Sequence, residues 1–200
     1  MILSLLRHEW LRTRGMLGTI LAAAALLTGV GTLLTATGWP GISLLGMSIA
    51  VLTIGGLVPV LQIALAVQYW QSSYGRTGYF TQSLPVRGST IFTAKLLWAF
   101  LVTLVGIGVL LALAASIWPV IASQLGADRN PFAALGQLWS GFSEVASVPT
   151  QVASIALFLG MFLIWPIQYF FAASVGSETP LNRLGPGGPV LIFLGLYMVT

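Results

Sequence analysis

Few side chains in this sequence are of the types that do chemistry, and their spacing matches no catalytic centre. The single histidine, His8, is followed by Glu9 but not by a second histidine four residues later, as a zinc-binding helix requires. The single lysine, Lys95, does not close a glycine-rich phosphate-binding loop, so an ATPase motif is missing. With no cysteine, thiolate nucleophiles and disulfides are excluded. We therefore expect no catalytic residue, no metal site and no cofactor in this chain.

The charged residues also argue against two further classes of protein. No pair of carboxylates falls within an apolar run, which weakens a proton-coupled transporter, because proton relays need titratable groups inside the membrane. The net charge of +4 comes from eight cations spread along the chain, without the dense basic patch that binds nucleic acid. We expect no nucleic-acid partner.

Composition sets the fold class. Only 6% of the residues are charged, 57% are hydrophobic and the mean hydropathy is +0.96. Soluble domains average about 25% charged residues, so the chain is expected to be an integral membrane protein. We predict an all-α, polytopic transmembrane helix bundle forming a single domain over residues 1–200.

Apolar runs of span length predict four complete spans, and a shorter run follows them. The spans are expected at Met16–Ala36, Ile42–Val67, Ile91–Trp118 and Gln151–Val175. The last run, Pro189–Thr200, covers about 18 Å of a core of about 30 Å and predicts a truncated fifth span, hence a truncated chain or a fragment.

Amphipathic segments flank these runs. Residues 1–14 predict an interfacial helix leading into an uncleaved first span, the alternative being a signal peptide. Residues 119–149 predict an extracytoplasmic loop. Within it Asn130-Pro131 is typical of a helix N-cap followed by proline at the first position, and apolar residues then recur at helical spacing. This pattern indicates a short helix on the membrane surface, or part of a substrate mouth.

Small and polar residues inside the predicted spans mark helix contacts and hinges. Ala25, Gly29 and Gly31 would let the first span approach a neighbour closely, although such residues are common in spans. Prolines free backbone carbonyls, and an amide side chain in lipid needs a partner. The candidate pathway or hinge residues are Gly55, Gly56, Pro59, Gln62 and Pro166.

The cations predict the orientation. With the N-terminus in the cytoplasm, seven of the eight cations are cytoplasmic and only Arg129 is outside, which agrees with the positive-inside rule. Ser89 is expected to cap the third span. Lys95, one turn inside it, is expected to extend its ammonium to the interface; the alternative is a buried, functional lysine.

The stretch Gln68–Lys95, here called the connector, interrupts two apolar runs. It contains Tyr74-Gly75, Gly78-Tyr79-Phe80, Leu84-Pro85 and three cations, a mixture that cannot lie in hydrocarbon. Aromatic rings beside glycines suit a compact turn or short helix that docks into another protein's groove. A loop lying on lipid headgroups is the alternative.

The order Tyr74-Gly75-x-x-Gly78-Tyr79-Phe80-Thr81, Leu84-Pro85-Val86 and Lys95-Leu96-Leu97 resembles the cytoplasmic loop of bacterial ABC transporter permease subunits of the type-2 export family. Arg76-Thr77 departs from relatives that carry an acidic residue between the two glycines. The resemblance implies six spans in the full-length protein and a cytoplasmic coupling loop at 69–90. It further implies a second permease subunit and a partner ATPase that binds ATP and Mg²⁺.

On this resemblance the expected function is a non-enzymatic permease subunit of an ATP-driven exporter in the bacterial cytoplasmic membrane. The expected ATPase contacts are Tyr74, Gly75, Arg76, Gly78, Tyr79, Phe80, Leu84 and Pro85. The alternative function is a non-transporting membrane anchor or assembly protein that recruits a soluble partner. A secondary transporter would show paired interrupted helices around charged residues, a pattern this sequence does not have.

Overall fold

The computed structural model describes residues 2–75, 87–178 and 181–199. These residues form six α-helices, and they include no strand. The helices are α1 (Ile2–Ala36), α2 (Pro40–Ser73), α3 (Gly88–Leu125), α4 (Pro131–Val145), α5 (Val148–Val175) and α6 (Gly187–Val199), with a 3₁₀ turn at Leu181–Leu184. The predicted all-α helical bundle is confirmed.

Four of these helices, α1, α2, α3 and α5, are long and apolar enough to cross a membrane. Their 28 to 38 residues correspond to roughly 40–57 Å at the α-helical rise, more than a hydrocarbon core of about 30 Å. They coincide with the four predicted spans and have the character of a multi-pass membrane protein. Helix α6, with 13 residues, is about 20 Å long.

Helix boundaries differ from the sequence expectation at both ends of the predicted spans. Residues 2–14 are continuous with the first predicted span, since α1 runs without a break to Ala36. Helix α3 begins at Gly88, so Ser89 lies inside it and is not its cap. The same helix continues through Pro119 to Leu125. A proline is tolerated there because neighbouring groups in a helical membrane protein can satisfy the carbonyl that it frees.

Packing divides the chain into two units. The first comprises Met1–Leu17, Pro59–Leu104 and Met161–Thr200, and the second comprises Gly18–Val58 and Val105–Gly160. In the second unit, α1 and α2 are joined by a tight turn in which Gly38 has a φ of 71°, a conformation that favours glycine. The run Thr37-Gly38-Trp39-Pro40-Gly41 is rich in turn-forming residues, and the structure places the turn at this glycine.

In that unit α1 and α2 touch through their backbones. A Cβ atom added to Gly31 would lie 2.7 Å from the Gly46 carbonyl oxygen, and one added to Gly46 would lie 2.6 Å from the Gly31 carbonyl oxygen. Gly31 therefore makes the close approach expected of the first span. Ala25 and Gly29 do not, since Ala25 is exposed and a Cβ at Gly29 would meet nothing within 4 Å.

Helix α4 begins as predicted. The side chain of Asn130 accepts a hydrogen bond of 3.0 Å from the Phe132 amide, and Pro131 occupies the first helical position. No residue of α4 is buried. Its exposed apolar side chains lie along one side of the helix, at positions Phe132, Leu135, Leu138, Trp139, Phe142 and Val145.

Candidate functional site around Lys95

Lys95 lies in the first unit and is buried, with 5% of its surface exposed. Its ammonium donates hydrogen bonds to Ser72 Oγ at 2.5 Å and to Ser73 Oγ at 3.1 Å. These bonds join the first turns of α3 to the last turn of α2, where the two helices enter and leave the connector. The prediction that Lys95 extends to the interface is wrong, because two serine hydroxyls supply acceptors inside the protein.

Tyr69 extends this polar cluster from α2 to α5. The Lys95 nitrogen lies 5.4 Å from the centre of the Tyr69 ring, within cation–π range. The Tyr69 hydroxyl shares a hydrogen bond of 2.8 Å with Ser174 Oγ, and its ring stacks on Phe170 with centroids 4.3 Å apart. Tyr69 thus contacts α3 with its face and α5 with both its face and its hydroxyl.

Helix α1 contacts this polar cluster through the Trp98 side chain of α3. The indole nitrogen of Trp98 donates a hydrogen bond of 3.1 Å to Thr13 Oγ1, and the Trp98 ring meets the edge of Trp10 at 5.9 Å. Glu9 and Lys95 both line a cavity of about 10 Å³. Glu9 therefore places a negative charge near the buried ammonium. All four long helices contribute to this group of residues, which we name the Lys95 cluster: Glu9, Thr13, Tyr69, Ser72, Ser73, Lys95, Trp98, Phe170 and Ser174.

Two of the predicted ATPase-contact residues adjoin the Lys95 cluster. The amides of Tyr74 and Gly75 both donate to the Trp70 carbonyl, at 2.8 and 3.0 Å, and close the last turn of α2. The Tyr74 ring is exposed and meets the edge of Tyr69 at 6.0 Å. The remaining predicted contacts lie outside the described residues: Arg76, Gly78, Tyr79, Phe80, Leu84 and Pro85.

Two of the predicted hinge residues, Gln62 and Pro166, meet at a single carbonyl group. Pro166 has no N–H, so the Phe162 carbonyl four residues earlier loses its helical partner. The side-chain nitrogen of Gln62 on α2 donates to that carbonyl at 2.8 Å, and to Thr103 Oγ1 of α3 at 3.2 Å. Gln62 is buried, as expected for an amide whose partners lie in the protein. One side chain therefore links three helices at the proline.

The other three hinge candidates are placed differently. A Cβ added at Gly55 or Gly56 would meet nothing within 4 Å, so neither glycine serves a close helix contact. Pro59 lies in the interior of α2, and the helix continues on both sides of it. These residues show no contact that would assign them to a pathway.

Sequence reasoning missed the partners of Lys95. Ser72 and Ser73 stand at the polar end of an apolar run and were not distinguished from other hydroxyls of the connector. The sequence does contain a signal for this contact. Lys95 lies near the start of one long helix, and the two serines lie in the last turn of the preceding one, so all three fall at the same membrane level. Gln124 was also missed; it donates to the Thr35 carbonyl at 2.8 Å and to Ser43 Oγ at 2.9 Å within the second unit.

The Lys95 cluster holds helices together through hydrogen bonds between their side chains. Its hydroxyls and ammonium are engaged with one another, and no group of three or more His, Asp or Glu side chains in the described ranges could hold a metal ion. Comparison of the chain with protein-family models, with curated proteins and with solved structures finds no match.

Proposed function

We propose that this chain is the membrane-spanning permease subunit of an ATP-driven exporter of the type-2 ABC family. In this proposal the N-terminus lies in the cytoplasm of a bacterial cell, and residues 74–85 contact a separate ATPase subunit that carries ATP and Mg²⁺. Two permease chains and two ATPase chains form the working assembly. The seven-to-one distribution of cations supports this orientation.

The observation that carries the proposal is the position of the Lys95 cluster at both ends of the connector. Ser72 and Ser73 lie in the last turn of α2, and Lys95 lies two turns into α3. A force applied to the residues between these helices would reach α2 and α3 together, since the ammonium ties their ends. Tyr69 and Trp98 would pass it to α5 and α1. Such a junction suits a lever that converts closure of an ATPase pair into movement of the spans.

A pull-down tests the partner. The protein, extracted from its native membrane in mild detergent, should co-purify with an ATPase subunit in stoichiometric amount, and Tyr79→Asp should abolish that association. An anchor protein would instead retain a partner without ATPase activity, and this result would replace the permease proposal.

A reconstituted complex tests the coupling. Gly78→Leu should remove the stimulation of the ATPase subunit by the permease while membrane insertion remains normal, because a bulky side chain would obstruct the contact. Unchanged stimulation would contradict the lever.

The substitution Lys95→Met tests the junction between α2 and α3 separately from the contact with the ATPase subunit. It removes the bonds to Ser72 and Ser73 while keeping an unbranched apolar side chain, so ATPase binding should persist and stimulation should fall about tenfold, the effect of about 1.4 kcal/mol. Leu97→Met, two residues along the same helix at an exposed position, is the matched control and should stimulate normally. Equal stimulation by both variants would show that the junction is not part of the coupling.

A further inference from the structure

A cavity of about 460 Å³ lies within the first unit, apart from the Lys95 cluster, and is lined by α2, α5, α6 and the turn before α6. Each helix contributes one face, at spacings of three and four residues: from Ile63 to Gln71 on α2, from Tyr169 to Ala173 on α5, and from Val190 to Leu194 on α6. The volume falls within the range of about 300–1,000 Å³ typical of small-molecule sites.

Small residues create this space. Ala172 and Ala173 on α5 are buried, and Ala66 faces them from α2. The wall formed by α6 is fixed against α5 where Gly176 meets Gly188, since a Cβ atom on either glycine would overlap the backbone of the other segment. The cavity is therefore part of the packing of three helices and does not depend on one long side chain.

The lining is apolar at the rim and amphipathic at one end. Ile63 and Val67 on α2 and Val190 and Leu194 on α6 are about half exposed, on helices whose outer surfaces face lipid in a membrane protein. Trp70 and Tyr169 line the cavity near the ends of α2 and α5, and such rings favour the headgroup level of a bilayer. An elongated apolar molecule with a polar head matches this gradient.

The charge on the turn before α6 selects among such molecules. Arg183 is exposed and lies three residues before Pro186, which lines the cavity. A guanidinium is a strong partner for a phosphate group. We propose that the cavity binds one anionic phospholipid, with an acyl chain between α2 and α6 and its phosphate at Arg183. This inference goes beyond the coupling function and does not depend on it.

Photo-crosslinking tests this site in the whole protein. The chain is reconstituted in phosphatidylcholine vesicles that contain phosphatidylglycerol with a diazirine on its acyl chain, irradiated, and mapped by peptide mass spectrometry. Crosslinks should concentrate on residues 63–71, 169–173 and 190–194, and should saturate at one lipid per chain. Crosslinks spread evenly over the lipid-facing residues of α1, α2, α3 and α5 would overturn the proposal.

Filling the cavity gives the second test. Ala66→Phe should lower crosslinking at these positions at least fivefold, whereas Ala156→Phe, at an exposed position of α5, should leave it unchanged. Size-exclusion chromatography identifies a misfolded variant, and the wild-type crosslinking map decides the proposal independently of it. Equal crosslinking in both variants would refute it.

Removing the positive charge of Arg183 tests whether the site recognises the phosphate headgroup. Arg183→Gln should lower the preference for phosphatidylglycerol over phosphatidylcholine, each carrying the same diazirine chain, by about fivefold, the value for one cation at a membrane surface. Glu178→Gln, which removes a charge of opposite sign from the same polar segment, should not lower it. Loss of preference in both variants or in neither would contradict a phosphate at Arg183.

Discussion

Two regions of the molecule join their helices in different ways. Around Lys95 and Gln62, in the first unit, neighbouring helices are connected by side chains that donate hydrogen bonds to hydroxyls or to a freed carbonyl. At Gly31 and Gly46, in the second unit, two backbones are in direct contact. The first kind of contact depends on finding a polar partner, and the second depends on shape alone.

This difference has a mechanical meaning. A backbone contact allows no larger residue and has no alternative partner, so it fixes two helices at one distance. A hydrogen bond between side chains can be exchanged for another when the helices shift, at little cost if a new acceptor is near. Movement under a proposed ATPase stroke is therefore expected near Lys95 and Gln62 rather than at the glycine contact.

The largest effect is expected at the glycine contact. Gly46→Leu should lower the free energy of unfolding by about 3 kcal/mol, because neither backbone can yield to the added side chain. Titration with SDS in mixed micelles measures it. Gly29→Leu, on α1 with open space at its Cβ position, is the control and should change stability by less than about 0.5 kcal/mol. Similar losses in both variants would show that the contact is not specific.

The hydrogen bond from Gln62 to the Phe162 carbonyl should contribute less to the free energy of unfolding than the glycine contact does. Its contribution should depend on Pro166. Gln62→Leu leaves the Phe162 carbonyl without its donor and should cost about 1–2 kcal/mol. In a Pro166→Ala background the restored N–H can bond that carbonyl, so the same substitution should cost about 1 kcal/mol less. A double-mutant cycle of unfolding free energies gives this coupling directly. Strict additivity would mean that Gln62 does not compensate for the proline.

Removing one hydroxyl from the Lys95 cluster should have a smaller effect. Tyr69→Phe keeps the stacking on Phe170 and deletes the hydroxyl that bonds to Ser174, so the loss should be about 0.6 kcal/mol. Tyr69→Leu, which also removes the ring from beside the ammonium, should cost clearly more in the same unfolding assay. An equal cost for the two variants would assign the contribution to the hydroxyl alone.

The smallest global effect is expected at α4. Asn130→Ala removes the cap bond to the Phe132 amide, worth about 1 kcal/mol to that helix. Since no residue of α4 is buried, unfolding of the whole protein should change by less than about 0.5 kcal/mol. Hydrogen exchange should show about fivefold faster exchange confined to the first turn of α4. Faster exchange in α3 or α5 would indicate that α4 supports the spans.

Local signals in the sequence account for the parts of the fold that were predicted. Apolar length located the four long helices, Asn130-Pro131 located the start of α4, and the glycine at position 38 located the turn between α1 and α2. Each of these features is decided by residues adjacent in the chain. Pro119 led to a wrong prediction of the C-terminal end of α3. Residues near this proline in space, and not in sequence, decide whether the helix continues past it.

Partners distant in sequence account for what was missed. That Gln62 needs a partner followed from its amide in an apolar run, but its choice of the Phe162 carbonyl required knowing that α2 and α5 are neighbours. The burial of Lys95 likewise required the placement of Ser72 and Ser73 across the connector. Periodicity within one helix carries no information on which helix lies beside it.

The two kinds of contact also become available at different times during synthesis. Gly31 and Gly46 belong to consecutive helices, so α1 and α2 can enter the membrane as an already paired hairpin. The Phe162 carbonyl follows Gln62 by 100 residues, which corresponds to roughly 5–20 s of translation. Until α3 supplies Thr103, 41 residues after Gln62, the amide has neither of its two acceptors and must be hydrated or held by a temporary partner. The insertion machinery therefore receives a finished hairpin first and a polar side chain whose final acceptor has not yet been made.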